Sequence, residues 1–310
     1  MKVAFLILAH HQPEMLNRLI GALQSEWSYF FIHIDAKSDL SKFERSLSHQ
    51  PHVIILDRKS RLKINWGGYS VLSATLNLLK SASDTNIDFW RFCLLSGNDY
   101  PIKSHNVLFE HFCSKFEYIQ IQRMLEPDGT SPFDRRARRF YFGDNSIFNP
   151  RSGSPLLRRF AIRLEHLFDR PYPDGVDIYY GSQWWCLTAP AVRAVLKIVA
   201  DRPDLVRWFR RITCADELFF QTFIKMTAHS ENIAYEYRGL SYSGQSFESM
   251  HYIDWFTPNP TVPKVLDLTD LPAILQSRAL FARKFDERSS SDLLDKLDGN
   301  MSIYPTVAES

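Results

Sequence analysis

An α/β fold with a mostly parallel sheet, helices on both faces and an Arg-rich insertion is the architecture this sequence predicts. Three observations carry it. Short continuous apolar runs have the length of strands. Segments of helical period separate them. The 310 residues suit one large domain, or one with a small appendage. Residues 3–8 are wholly apolar, the mark of a strand buried on both faces. With Lys2 this run imitates a signal peptide, but His10, His11, Gln12 and Pro13 stand where a small-residue cleavage site belongs. A helix is expected over 14–23, where Met15, Leu16, Leu19, Ile20 and Leu23 share a face. Strands follow at 29–34 and 53–56, then a helix over 69–79 opened by Gly67 and Gly68. Residues 90–95 read as a fourth strand, 107–116 as a helix and 118–121 as a fifth strand.

From about 127 to 175 the chain turns rich in Arg, Pro, Gly and Asp, as an insertion would, with one amphipathic helix at 156–168. An aromatic strand at 183–187, helices at 191–200 and 216–226 and a short strand at 233–237 complete the pattern. One domain is expected over 1–286, and 287–310 should hold a helix (291–297) and a loose tail. There are no repeats, and no stretch reaches the roughly 18 apolar residues needed to span a bilayer.

Composition excludes several functions. Hydrophobic residues at 45% and charged residues at 23% are ordinary globular values. A net charge of +2 gives no chain-wide field for nucleic acid, so no nucleic-acid partner is expected. Charge is concentrated locally instead, with nine arginines between Arg135 and Arg170. The aromatic share of 14% fits either a Phe-rich core or rings that cover sugar faces. Cys93, Cys113, Cys186 and Cys214 lack metal-ligand spacing and read as buried thiols in a reducing compartment.

Ligands of open α/β sheets bind beyond the carboxyl ends of the strands. Polar residues collect at three such ends: His10 and His11; His33, Asp35, Lys37 and Ser38; Ser96, Gly97, Asn98, Asp99 and Tyr100. Together they point to a nucleotide pocket. The chain has no G-x-G-x-x-G after a strand, no Walker loop and no G-x-S-x-G elbow. Neighbouring histidines in a strand face opposite sides, which argues against a metal shared by His10, His11 and His33. Asp216 and Glu217 open a predicted helix, either as an N-terminal cap or with one carboxylate serving as a base. Arg283 and Lys284, among Leu280, Phe281 and Phe285, either hold a diphosphate or lie at a solvated helix end.

These segments taken together resemble the core-2/I-branching glycosyltransferase family, which includes β-1,6-N-acetylglucosaminyltransferases and peptide O-xylosyltransferases. The matching pieces are Ile7-Leu8-Ala9-His10-His11, His33-Ile34-Asp35-Ala36-Lys37-Ser38, Trp66-Gly67-Gly68-Tyr69-Ser70, the stretch from Leu95 to Lys103, Gly181-Ser182-Gln183-Trp184-Trp185, Asp216-Glu217 and the stretch from Leu280 to Asp286. They keep the family's order over residues 3 to about 286.

The resemblance implies a GT-A-like fold and an inverting, metal-independent single displacement from a UDP-sugar, with N-acetylglucosamine or xylose transferred to an acceptor hydroxyl. Glu217 would be the general base and Lys284 the diphosphate cation. Ala9, His10, Asp35, Lys37, Asn65, Trp66 and Asp99 would line the nucleotide site. Where the family has an arginine beside the lysine, this chain has His251, with Arg283 as the substitute cation. Arg136, Arg139, Trp184 and Trp185 are the weaker acceptor candidates, the acceptor being a glycan, glycolipid or protein. No cofactor and no metal are expected, because Asn98 precedes Asp99 where metal-using GT-A enzymes carry a carboxylate pair. The alternatives are a metal-dependent transferase using Asp99 and a non-catalytic binder of nucleotide sugars or glycans. Without the luminal anchor and paired cysteines of animal members, a cytoplasmic, bacterial-type protein is expected. The Arg-rich helix is either packed on the sheet or a peripheral contact with anionic membrane.

Overall fold

A computed structural model describes residues 1–126, 132–151, 153–236, 247–255, 257 and 262–302. The strands are β1 (Val3–Ala9), β2 (Ser28–Ile34), β3 (Val53–Ile55), β4 (Arg91–Ser96), β5 (Tyr100–Pro101), β6 (Glu117–Ile121), β7 (Arg123–Met124), β8 (Tyr179–Tyr180), β9 (Cys186–Thr188), β10 (Ile233–Glu236), β11 (Phe247–Glu248), β12 (His251–Ile253) and β13 (Phe281–Arg283). The α-helices are α1 (Pro13–Leu23), α2 (Leu40–Leu47), α3 (Tyr69–Ser83), α4 (His105–Cys113), α5 (Pro132–Arg138), α6 (Pro155–Leu167), α7 (Ala189–Asp201), α8 (Pro203–Phe209), α9 (Phe219–Lys225), α10 (Leu271–Gln276) and α11 (Ser291–Ser302).

The main sheet has seven strands in the order β10-β6-β9-β4-β1-β2-β3. Pairings β1–β2, β1–β4, β2–β3 and β6–β10 are parallel, while β9 runs antiparallel to both β4 and β6. The sheet is thus the mostly parallel one expected, and β1, β2 and β4 end on one edge. One face packs on α1, α2, α4 and α11, the other on α3, α7, α8 and α9. A smaller sheet, β11-β12-β13-β5, stands beside the strand ends. Its β12 and β13 are parallel, which sets His251 opposite Phe281 and Ile253 opposite Arg283.

Helix α11 joins the same core. Leu293, Leu294 and Leu297 are buried, each contributing about 1.5–3 kcal/mol of apolar transfer. Arg18 on α1 grips it through Asp295 and Asp298, both at 2.6 Å, and the Tyr100 hydroxyl donates to Asp298.

Two expectations need correction. The helix expected from residue 216 begins only at Phe219. Cys214 adopts a left-handed backbone (φ 52°), and Ala215–Glu217 then form a single 3-10 turn. Asp216 and Glu217 therefore do not cap a helix. The amphipathic helix, here α6, does not pack its apolar side on the sheet. Ala161 and Glu165 face inward, and the large apolar side chains face out. Helix α2, unread in the sequence, carries its signal in Leu40, Phe43 and Leu47, with Asp39 capping it through Ser41 N.

Candidate active site

The carboxyl ends of β1, β2 and β4 close on one another. Gly97 N donates to Leu8 O and Asp35 N to Ala9 O. A Cβ on Gly97 would lie 3.0 Å from that of Ala9, so the β4 turn approaches β1 closely. His10 and His11 follow Ala9 with their rings stacked at 4.0 Å. Loss of hydration, then Lys284, lower the basicity of His11. Asp35 is buried, and its Oδ1 accepts from Lys37 N at 2.9 Å and Ile64 N at 3.4 Å. Lys37 Nζ reaches Asp35 Oδ2 at 3.5 Å and remains half exposed. His33 is buried behind this turn. Burial pushes its pKa down to about 4, and Leu62 N donates to its Nε2, so the neutral ring is an acceptor there.

The 65–68 loop forms one rim. Asn65 is buried and its amide donates to Asp144 O. Trp66 is half exposed, and the Arg151 guanidinium lies 4.2 Å from its ring centroid. Tyr141 Oη and Asn149 Nδ2 both donate to Trp66 O at 3.1 Å, and Cys214 N donates to Gly67 O. That last bond brings the 214–217 turn to the rim. Glu217 N bonds Cys214 O, Gly181 N bonds Glu217 O, and a Cβ on Gly181 would fall 1.8 Å from Gln120 O. Only glycine allows this approach. Arg136 Nη1 lies 3.2 Å from Glu217 Oε2.

On the opposite side stands Asp99, fully buried. Its Oδ2 accepts from Ser96 N at 2.7 Å and faces His251 Nε2 at 3.1 Å, and its Oδ1 lies 3.5 Å from Arg283 Nε. Burial opposes its charge, but Arg283 and His251 outweigh burial and hold the carboxyl below its usual range. Arg283 is stacked 4.1 Å over the Trp184 ring. Lys284 comes next, pinned where Phe285 N and O bond Asn98. Burial, then Arg283 and Arg151, lower the basicity of Lys284. Neither Lys284 nor Arg151 has a carboxylate within ion-pair reach among the described residues. The field of Arg151 reaches both Lys284 and Cys214, and that of Glu217 also reaches Cys214, so these groups lie near one another.

Several expected ligands are placed otherwise. His251 is fully buried and lowered in basicity by burial, so it supports Asp99 behind the cleft surface instead of offering an imidazolium to phosphate. Trp185 is fully buried against Phe220, a core residue unable to touch an acceptor. Arg139 turns toward α6, with Nη1 3.0 Å from His166 Nε2, away from Glu217. Arg151 is the group that sequence reasoning left outside the site. Its only signal was membership of the Arg-rich segment, and the fold of the 141–151 loop brings it to Trp66. No three His, Cys, Asp or Glu side chains that could hold a metal ion come together among the described residues.

Asp216 gives a pH signature. Burial pushes its pKa up to about 6, and its Oδ1 is buried without a partner. A carboxyl raised in the folded state binds more protons there than in the unfolded chain. Stability from this group is therefore full below about pH 4 and is lost as pH rises through about 6. Asp216→Asn should show a melting temperature above wild type that widens by a few degrees between pH 4 and pH 7. A gap that does not change with pH would count against a buried, protonated Asp216.

Comparison with known proteins adds three findings. The family profile described as Core-2/I-Branching enzyme matches residues 3–274. Xylosyltransferase 2 of Rattus norvegicus is 25% identical over 313 residues, covering 98% of this chain and 34% of that protein. Xylosyltransferase oxt of Drosophila melanogaster is 26% identical over 313 residues, covering 96% and 33%. The chain thus spans about a third of the length of these relatives. Among solved structures it is similar to the galactosyltransferase LgtC in complex with donor and acceptor sugar analogues, with a TM-score of 0.42, 9% identity and 97% of each chain covered. It is also similar to mouse xyloside xylosyltransferase 1, with a TM-score of 0.38, 12% identity and coverage of 93% and 99%.

Proposed function

Because the chain belongs to the core-2/I-branching enzyme family, we propose that it is a glycosyltransferase, moving a sugar from a UDP-sugar to an acceptor hydroxyl by inverting single displacement without a metal ion. The observation that carries this reading is a carboxylate and unpaired cations gathered near the strand ends. Glu217, a carboxylate on a rigid turn, and Arg151 meet at the 65–68 rim, while Lys284 follows Arg283 on the Asp99 side, and neither cation has an acidic partner among the described residues. An acceptor hydroxyl has a pKa far above 7, so a positioned carboxylate must take its proton as it attacks the anomeric carbon. The departing nucleotide diphosphate gains negative charge, which fixed cations offset best where water is scarce. Asp99 Oδ2 is engaged by Ser96 N and His251, and Arg283 lies 3.5 Å from its Oδ1, so its charge is already offset by protein groups. Asp35 and Lys37, at the β2 end, are proposed to meet the nucleoside, with Ala9 and His10 beside them.

Xylose is favoured as the donor sugar because the named relatives are xylosyltransferases. The acceptor is proposed to be a glycan, glycolipid or protein hydroxyl, with Arg136 beside the base and Trp66 at the rim as its contacts. A thermal-shift series with EDTA present should test the donor. UDP-xylose, UDP-N-acetylglucosamine, UDP-glucose and UDP-galactose would be compared. A donor at a hundred times its Kd stabilises by about 2.7 kcal/mol, so the preferred sugar should raise the melting temperature by several degrees. If none of the four raises it, the donor reading fails. If only added Mn²⁺ restores a shift, a metal-dependent enzyme is favoured.

A further inference from the structure

Helix α6 is amphipathic in an inverted sense. Its inward face carries Ala161 and Glu165, and Glu165 Oε1 accepts from Phe142 N at 2.9 Å and Arg158 Nη1 at 2.7 Å. Its outward face carries Leu156, Phe160 and Leu167, exposed by 75%, 57% and 66%, and Phe168 follows at 64%. At 100° per residue, Leu156, Phe160 and Leu167 fall in one stripe. Arg159 and Arg163, one turn apart and both exposed, form a second stripe along its edge. Neither arginine has an ion-pair partner among the described residues. Large apolar side chains clustered on an exposed face mark an interaction site. Surface helices of globular proteins turn such a stripe inward, and here an internal ion pair takes the inward place.

We propose that the outer face of α6 seats this domain on an anionic lipid bilayer, with Leu156, Phe160, Leu167 and Phe168 entering the acyl boundary and Arg159 and Arg163 meeting the headgroups. An apolar stripe edged by arginine is the chemistry that binds a membrane interface. Local charge supports the choice of occupant. Between residues 132 and 170 there are nine arginines and four acids, Asp134, Asp144, Glu165 and Asp169. Asp134 and Glu165 are buried. A symmetric contact with a second copy would set this patch against itself and bring like charges together. The inward face of the helix rests on Tyr141 through Arg158, and Tyr141 bonds the Trp66 carbonyl, which ties α6 to the rim from the side opposite the proposed bilayer face.

The test is co-sedimentation at low salt with vesicles of phosphatidylcholine alone and of phosphatidylcholine and phosphatidylglycerol in equal parts. No donor or acceptor is present, so the result is independent of the transfer reading. The chain should sediment with the mixed vesicles and hardly with the neutral ones. The pair Leu156→Glu and Phe160→Glu should lower binding at least about tenfold. Arg159→Gln and Arg163→Gln should each lower it about fivefold, less at high salt. Because the changed side chains are exposed, melting temperatures should stay near wild type, which separates lost binding from lost folding. Absence of binding to mixed vesicles overturns the proposal, as does binding that the four substitutions leave unchanged. Sedimentation velocity adds a further arm. A wild-type dimer that Leu156→Glu and Phe160→Glu convert to monomer, with no vesicle binding, would assign the face to a second copy and overturn it too.

Discussion

Glu217→Gln is expected to lower turnover by roughly 10²–10⁴-fold while leaving donor affinity nearly unchanged. The amide keeps the length and shape of the carboxylate but cannot accept the acceptor's proton. The turn that presents it should persist, because it is built from backbone bonds: Glu217 N to Cys214 O, Cys214 N to Gly67 O and Gly181 N to Glu217 O. Arg136 loses an ion-pair partner, but that pair is partly solvated, so its loss should cost little stability. Initial rates and donor titration by thermal shift, made on one preparation, separate the two effects. Transfer by the Gln variant within a few-fold of wild type would remove Glu217 as base and direct attention to Asp216.

Lys284→Ala is expected to weaken binding of UDP by one to two powers of ten and to slow transfer. Removing one charge-assisted bond costs roughly 1.5–3 kcal/mol, and the diphosphate it leaves unpaired is partly desolvated. The site has little in reserve. Arg283 is engaged with Asp99 and Trp184, and His251 is buried. Arg151, whose field reaches Lys284 from the Trp66 rim, is a second nearby cation, so Arg151→Ala should add a smaller loss. On the proposed metal-free reading, in which Lys284 and Arg151 would offset the diphosphate charge, wild-type activity should survive excess EDTA. Two results would reverse this account: Lys284→Ala binding UDP as wild type does, or activity abolished by EDTA and restored by Mn²⁺. Uridine alone should bind both proteins alike, because it carries no diphosphate.

The strands and most helices were legible in the sequence because their signals are local. Residues 3–8 are apolar without a break, and a strand covered on both faces buries all of them but Leu8, which is half-buried. The polar strand ends at His10, Asp35 and Asp99 were legible for the same reason, since strand direction puts them on one edge. The ordered motifs named the family.

What stayed hidden depends on contacts distant in sequence. The antiparallel place of β9 between β4 and β6 has no sequence mark, because the side-chain alternation of a three-residue strand is the same whichever way it runs. Burial of His251 and Trp185 comes from packing on Phe281 and Phe220, and no periodicity separates a buried histidine or tryptophan from an exposed one. The place of Arg151 depends on the fold of an irregular loop. The sequence by itself determined the α/β class, the family and the residue types that transfer chemistry requires. Only the tertiary structure decided that Arg283 and His251 are spent on Asp99, and that α6 turns its apolar side to solvent. Hydrophobic pattern identifies an amphipathic face, but the partner that covers it is chosen by the rest of the chain, and here Glu165 and Arg158 fill the inward place.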